Sequence, residues 1–219
     1  MASHKDLKAR QRRERGDHSP SVALRVHRAL SWLARAEKER TDDDARFVFL
    51  WIAFNAAYAI DSHDPDMTEK RSFKTFLRTL MKLDQSGRLG HLVWQEFTSS
   101  IRLLLRNQFV FADFWRHHNG LLTAAEWERR FKSSRRAAEL ALAGGDTLQV
   151  LSIVLARLYV LRNQLLHGGA TWNSDVNRAQ VRDCANLLNK LVPIVIEIMM
   201  DHPKHDWGAA TYPVVKTGA

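Results

Sequence analysis

Arg162-Asn163-Gln164-Leu165-Leu166-His167-Gly168-Gly169 closes an apolar run that begins near Asp146. Leu148, Val150, Leu151, Ile153, Val154, Leu155, Leu158, Val160 and Leu161 fill that run. It is too long for a strand and ends on two glycines, so it predicts one helix over 146–167, buried among other helices. Arginine, asparagine and histidine then appear together at its end. Such groups are costly to bury unless they are paired or open onto a cleft. The stretch therefore sets both the fold class and the place to look for chemistry.

Outward from this helix the pattern stays helical. Residues 171–177, with Trp172, form a loop, and 178–200 a last long helix in which Pro193 predicts a bend or a tighter turn. Upstream, Thr123 starts a basic helix that ends at Gly144-Gly145. Before it lie a short aromatic segment (Phe109, Val110, Phe111, Phe114, Trp115), a helix over 92–105 and an amphipathic helix over 69–83, these two separated by a break at Gly87 and Gly90. Residues 61–67, with Pro65, read as a loop. The run from Phe47 to Ile60 is apolar almost all round and predicts a central buried helix, with Asp42, Asp43 and Asp44 as its cap and first turn. Ser19-Pro20 opens a helix whose stripe is Val22, Val26, Ala29, Leu30, Leu33 and Ala36. With no strand-type alternation and no repeat, the expectation is an all-α bundle of about seven helices.

The 219 residues suit one domain, placed over 19–201. Residues 1–18 carry Lys5, Lys8, Arg10, Arg12, Arg13 and Arg15, and read as a basic flexible tail, either solvated or laid on phosphates. Residues 202–219 form a second tail whose Trp207 and Tyr212 suggest docking on the body. A net charge of +9 favours an anionic partner, most often nucleic acid. Cys184 is the single cysteine, which fits a reducing compartment. The chain shows no signal-peptide pattern, and no apolar stretch reaches membrane-spanning length, so a cytoplasmic location and no membrane partner are expected.

Three groups of residues are candidates for chemistry. Arginine offers planar donors to a phosphate, histidine moves protons near neutrality, and asparagine can orient either or hold a phosphate oxygen. At about 100° per residue, Asn163 and His167 share one side of the helix, while Arg162 falls well around from His167. Two crossed copies would bring both arcs to one cleft, which points to a symmetric dimer. The set suits RNA cleavage without metal, by attack of the 2′-oxygen on the adjacent phosphate. Arg106-Asn107-Gln108 is an internal control, with Phe111 where the histidine would stand. Asn55 and Tyr58 are the polar side chains of the central helix; Asn55 reads equally as a buried amide satisfied by backbone or as support behind Arg162. Arg129, Arg130, Lys132, Arg135 and Arg136 form a second phosphate surface or a solvated face. His117-His118 and His202-x-x-His205 fit metal ligation poorly, the first pair pointing to different faces and the second interrupted by Pro203, so no metal or cofactor is expected.

At Arg162, Asn163 and His167 the chain resembles the HEPN superfamily, whose all-α domains carry an Arg-x(4–6)-His motif with a polar residue after the arginine. The run Trp51-Ile52-Ala53-Phe54-Asn55-Ala56-Ala57-Tyr58 is similar to the central helix of the Apea-like HEPN group. The resemblance is specific at these two helices and extends over about residues 20–201 by helix order alone. It implies a HEPN-type homodimer acting as a metal-independent ribonuclease, a toxin or defence effector that an antitoxin or regulatory protein controls. HEPN toxins paired with a nucleotidyltransferase often carry tyrosine two residues after the histidine. Gly169 stands there instead, so control by modification of that tyrosine is not expected. The alternatives are a non-catalytic RNA- or nucleotide-binding dimer and an interaction scaffold that uses the same residues as interface hydrogen-bonders.

Overall fold

The computed structural model describes residues 2–59, 69–175 and 178–212. These contain α1 (His4–Glu14), α2 (Pro20–Ala36), α3 (Asp43–Tyr58), α4 (Glu69–Leu83), α5 (Arg88–His91), α6 (Thr98–Arg106), α7 (Ala112–His118), α8 (Ala124–Ala143), α9 (Thr147–Leu166) and α10 (Arg178–Asp201). A π-helical turn, Leu92–Glu96, leads into α6, and a 3-10 turn, Gln108–Val110, leads into α7. Among the described residues every regular element is helical, so the fold is all-α, and no helix is long and apolar enough to cross a membrane. The helices beyond the expected seven are the short α1, α5 and α7. The loop expected at 61–67 lies outside the described residues.

Two packed groups make the core. α3 lies between α2 and α10, while α9 packs on α4 with α6 and α8 beside it and also meets α3. The α2 stripe from Val22 to Ala36 is fully buried, and Ser19 Oγ accepts the Val22 N–H at 3.3 Å. Asp42 caps α3 by accepting the Ala45 N–H at 2.9 Å. α10 continues as one helix through the buried Pro193. The helix expected over 92–105 is instead broken at Phe97 (φ −123°), where Thr98 Oγ1 donates to the Val93 and Trp94 carbonyls. That hydroxyl competes for carbonyls of the turn before it.

The flexible tail expected over 1–18 is corrected: α1 is formed and docked. Ser3 and Asp6 make a reciprocal capping box, Leu7 and Gln11 are buried, and Arg10 Nη1 meets Asp201 Oδ1 at 2.8 Å. At the other end, Trp207 is buried and donates to His202 O at 3.1 Å. Arg25 and Arg28 donate to the carbonyls of Gly208, Ala209, Thr211 and Tyr212, which straps the segment down. Tyr212, expected to dock, is 87% exposed because its backbone rather than its ring is held.

Candidate functional site

Asp146 starts α9 by accepting the Gln149 N–H at 2.9 Å, and Gly168, at φ 71°, ends it. A left-handed residue just past the helix is tolerated best by glycine. Between these ends one face of α9 is buried as far as Leu161. From Arg162 onward the side chains emerge: Arg162 and Asn163 are half-buried and His167 is exposed. The motif thus sits where the apolar helix leaves the core.

Arg162 Nη1 donates to Asn163 Oδ1 at 2.8 Å, and its Cζ lies 5.7 Å from the Tyr159 ring centroid. Tyr159 is held against Trp51 (6.1 Å between centroids) and Phe73 (6.0 Å). The guanidinium is therefore oriented by an aromatic base and a neighbouring amide. Among the described residues no carboxylate pairs with Arg162, and its buried Nε finds no acceptor. His167 N–H donates to Asn163 O at 3.0 Å, so the helical turn from Asn163 to His167 is intact. Its imidazole makes no hydrogen bond to the described residues and is open to a ligand. Gln164 Nε2 and Trp115 Nε1 both donate to Phe109 O at 2.7 Å, pinning the 3-10 turn beside this helix end.

The supporting positions are corrected in part. Asn55 is exposed on α3, so it is neither the buried amide nor a support behind Arg162. Tyr58 is buried and reaches the motif indirectly: it packs on Phe73 at 4.8 Å, Phe73 on Tyr159, and Tyr159 under Arg162. The sequence reading missed Tyr159, although its position three residues before Arg162 places the two on one face. It also missed Arg157, a lone cation inside an apolar run and 3% exposed. Burial pulls the Arg157 guanidinium down to about 10.

On α8, Arg129, Lys132 and Arg136 are exposed and recur along one side of the helix, without an ion pair among the described residues. Arg130 is turned toward Asp113 at 3.3 Å and Arg135 toward Glu139 at 3.7 Å. Arg135 also shares a depression with Arg102 and Arg106, so the basic surface extends onto α6. The control tripeptide serves structure: Asn107 accepts the Phe109 N–H at 2.8 Å and donates to Gln180. His117 Nδ1 lies 2.9 Å from Leu122 O, and the ring of His118 packs on Phe114. Among the described residues, no three histidine, cysteine or acidic side chains gather as a metal site. No family model matches the chain, and neither a curated protein nor a solved structure matches it.

Proposed function

We propose that the protein is a metal-independent endoribonuclease of HEPN type, a toxin or defence effector that works as a homodimer. One observation carries this: Arg162, free of any described carboxylate, is oriented by Tyr159 and Asn163 one turn before an open His167. In the reaction, His167 takes the proton of a ribose 2′-OH, the 2′-oxygen bonds to the adjacent phosphorus, and the phosphorus–O5′ bond breaks. The 5′-oxygen leaves as a hydroxyl after taking a proton, which the His167 of a second copy would supply. Arg162 and Asn163 donate to the non-bridging oxygens as charge accumulates. The products are a 2′,3′-cyclic phosphate and a 5′-OH, and DNA, lacking the nucleophile, survives.

Incubation with labelled single-stranded RNA in EDTA tests it, alongside His167→Ala and DNA of matching sequence. RNA-only cleavage by the unsubstituted protein, ending in a cyclic phosphate, is expected. Equal cleavage by His167→Ala would overturn the assignment. The unpaired cations of α8 favour a second reading, RNA binding without cleavage, which predicts salt-dependent retention and no product.

A further inference from the structure

Arg157 presents a chemical problem that the nuclease motif does not solve. Its Nη1 reaches Val110 O at 3.5 Å and its Nη2 reaches Ser134 Oγ at 3.1 Å. Its Nε–H is buried without an acceptor. The guanidinium lies over Phe111, with Cζ 4.5 Å from the ring centroid, and Phe131 is 5.6 Å away. No described carboxylate pairs with it. Asp113, on the same cleft, is engaged by Arg116 at 3.2 Å and Arg130 at 3.3 Å. Arg25 is the contrast within this fold: it is 1% exposed, but the carbonyls of Ala57, Gly208 and Ala209 accept from its guanidinium. A buried cation with neither a counter-charge nor a full set of acceptors is strongly disfavoured. At Arg157 the balance calls for an anion from outside the chain.

We propose that the Arg157 cleft binds a small organic phosphate, a dianionic head group carried on an apolar or aromatic body. The cleft measures about 600 Å³ and lies among α4, α7, α8 and α9. That volume falls in the range of small-molecule sites, about 300–1,000 Å³. Lys74, Arg130 and Arg157 line it against the single carboxylate of Asp113, an excess that suits a dianion better than a monoanionic carboxylate. Ser133 and Ser134 add hydroxyls on the α8 wall, and Phe73, Ile153 and Tyr159 supply an apolar wall for the body of the ligand. Neither Arg162 nor His167 lines this cleft; the two places adjoin at Tyr159, which lines the cleft and also lies under Arg162.

Calorimetric titration of the full chain with phenyl phosphate tests the proposal, with inorganic phosphate, phenol and benzoate as the other arms. Saturable binding of one phenyl phosphate per chain is expected. Inorganic phosphate should compete weakly, benzoate should bind less tightly than phenyl phosphate, and phenol should not bind. Arg157→Met should weaken phenyl phosphate by about tenfold or more, as loss of a charged hydrogen-bonding group does. Without ligand, that variant should melt no lower than the unsubstituted protein. Ala137→Trp fills the cleft from α8 while leaving Arg157 in place, and should also abolish binding. His167→Ala should bind normally, which separates this site from the nuclease assignment. Absence of phenyl phosphate binding, or equal binding by Arg157→Met or by Ala137→Trp, overturns the proposal. So does benzoate or phenol binding as tightly as phenyl phosphate.

Discussion

Arg162 donates to Asn163 Oδ1 at 2.8 Å, and that bond decides which side of the Asn163 amide remains free. An arginine only donates, so the carboxamide oxygen must face it and the amide N–H groups point elsewhere. Asn163 thus couples two functions, holding the guanidinium and presenting donors of its own. Asn163→Ala removes both, and should lower single-turnover RNA cleavage by about tenfold or more. Asn163→Asp keeps an acceptor for Arg162 but puts a carboxylate against the cation and beside the scissile phosphate. It should therefore be the slower of the two by about another tenfold. Cleavage by Asn163→Asp equal to or faster than by Asn163→Ala would refute this coupling.

His167 is exposed and its ring has no described hydrogen-bond partner, so its removal should separate chemistry from stability. His167→Ala is expected to reduce cleavage by about 10²–10⁴. Its unfolding free energy should stay within about 0.5 kcal/mol of the unsubstituted protein. Urea denaturation checks the second value; a large destabilisation would mean that His167 holds the fold or an interface.

Arg25 places its charge against carbonyls of α3 and of the C-terminal segment rather than against an acid. Burial pulls its guanidinium down to about 10, which leaves it charged near neutral pH. Arg25→Met should cost roughly 3–5 kcal/mol, because it leaves several buried carbonyls without a donor. It should also release the strap: Trp207 emission should shift to longer wavelength, and proteases should cut beyond Asp201 before the body unfolds. An unchanged Trp207 signal would show that the tryptophan docks without the arginine.

Ser19-Pro20, the Asp42 cap and the end of α9 at Gly168 were legible because each is a local signal. α1 was equally local, since Ser3 and Asp6 make a capping box, but the run of basic residues obscured it. What fixes α1 is distant in sequence: Arg10 finds Asp201 across the fold, a contact that no spacing rule supplies. Asn55 failed for a related reason. The run around it is apolar almost all round, so composition could not show which residue faces outward. Arg157 and Tyr159 were hidden in the opposite way, as a polar and an aromatic side chain inside a helix dominated by its apolar pattern.

The Arg10–Asp201 contact makes the N-terminal docking acid-sensitive. Burial alone would raise the Asp201 carboxyl, but hydrogen bonds from Arg88 at 2.6 Å and Arg10 at 2.8 Å outweigh it and hold the group below its ordinary value. A carboxylate depressed in the folded state contributes stability that is present above its unfolded value, about 3.9, and is lost as pH falls through the lower folded value. Amides of α1 should therefore lose hydrogen-exchange protection below about pH 4, ahead of those in α3. Asp201→Asn should show weakened α1 protection already at neutral pH. Protection of α1 independent of both pH and this substitution would assign its docking to the buried Leu7 and Gln11 and to the His4–Glu37 hydrogen bond.

Arg129, Lys132 and Arg136 stand exposed along one side of α8 and make no ion pair among the described residues, although Glu128 and Glu139 share a depression with Lys132 and Arg136. Converting all three to serine should remove up to three contacts with a single strand. The slope of log binding constant against log salt should then fall by about 2, from about 0.7 per phosphate neutralised. The effect should appear in KM, with single-turnover cleavage at saturating RNA close to that of the unsubstituted protein, because none of the three belongs to the Arg162–His167 motif. A changed saturating rate with an unchanged salt slope would move these residues from substrate binding into the reaction itself.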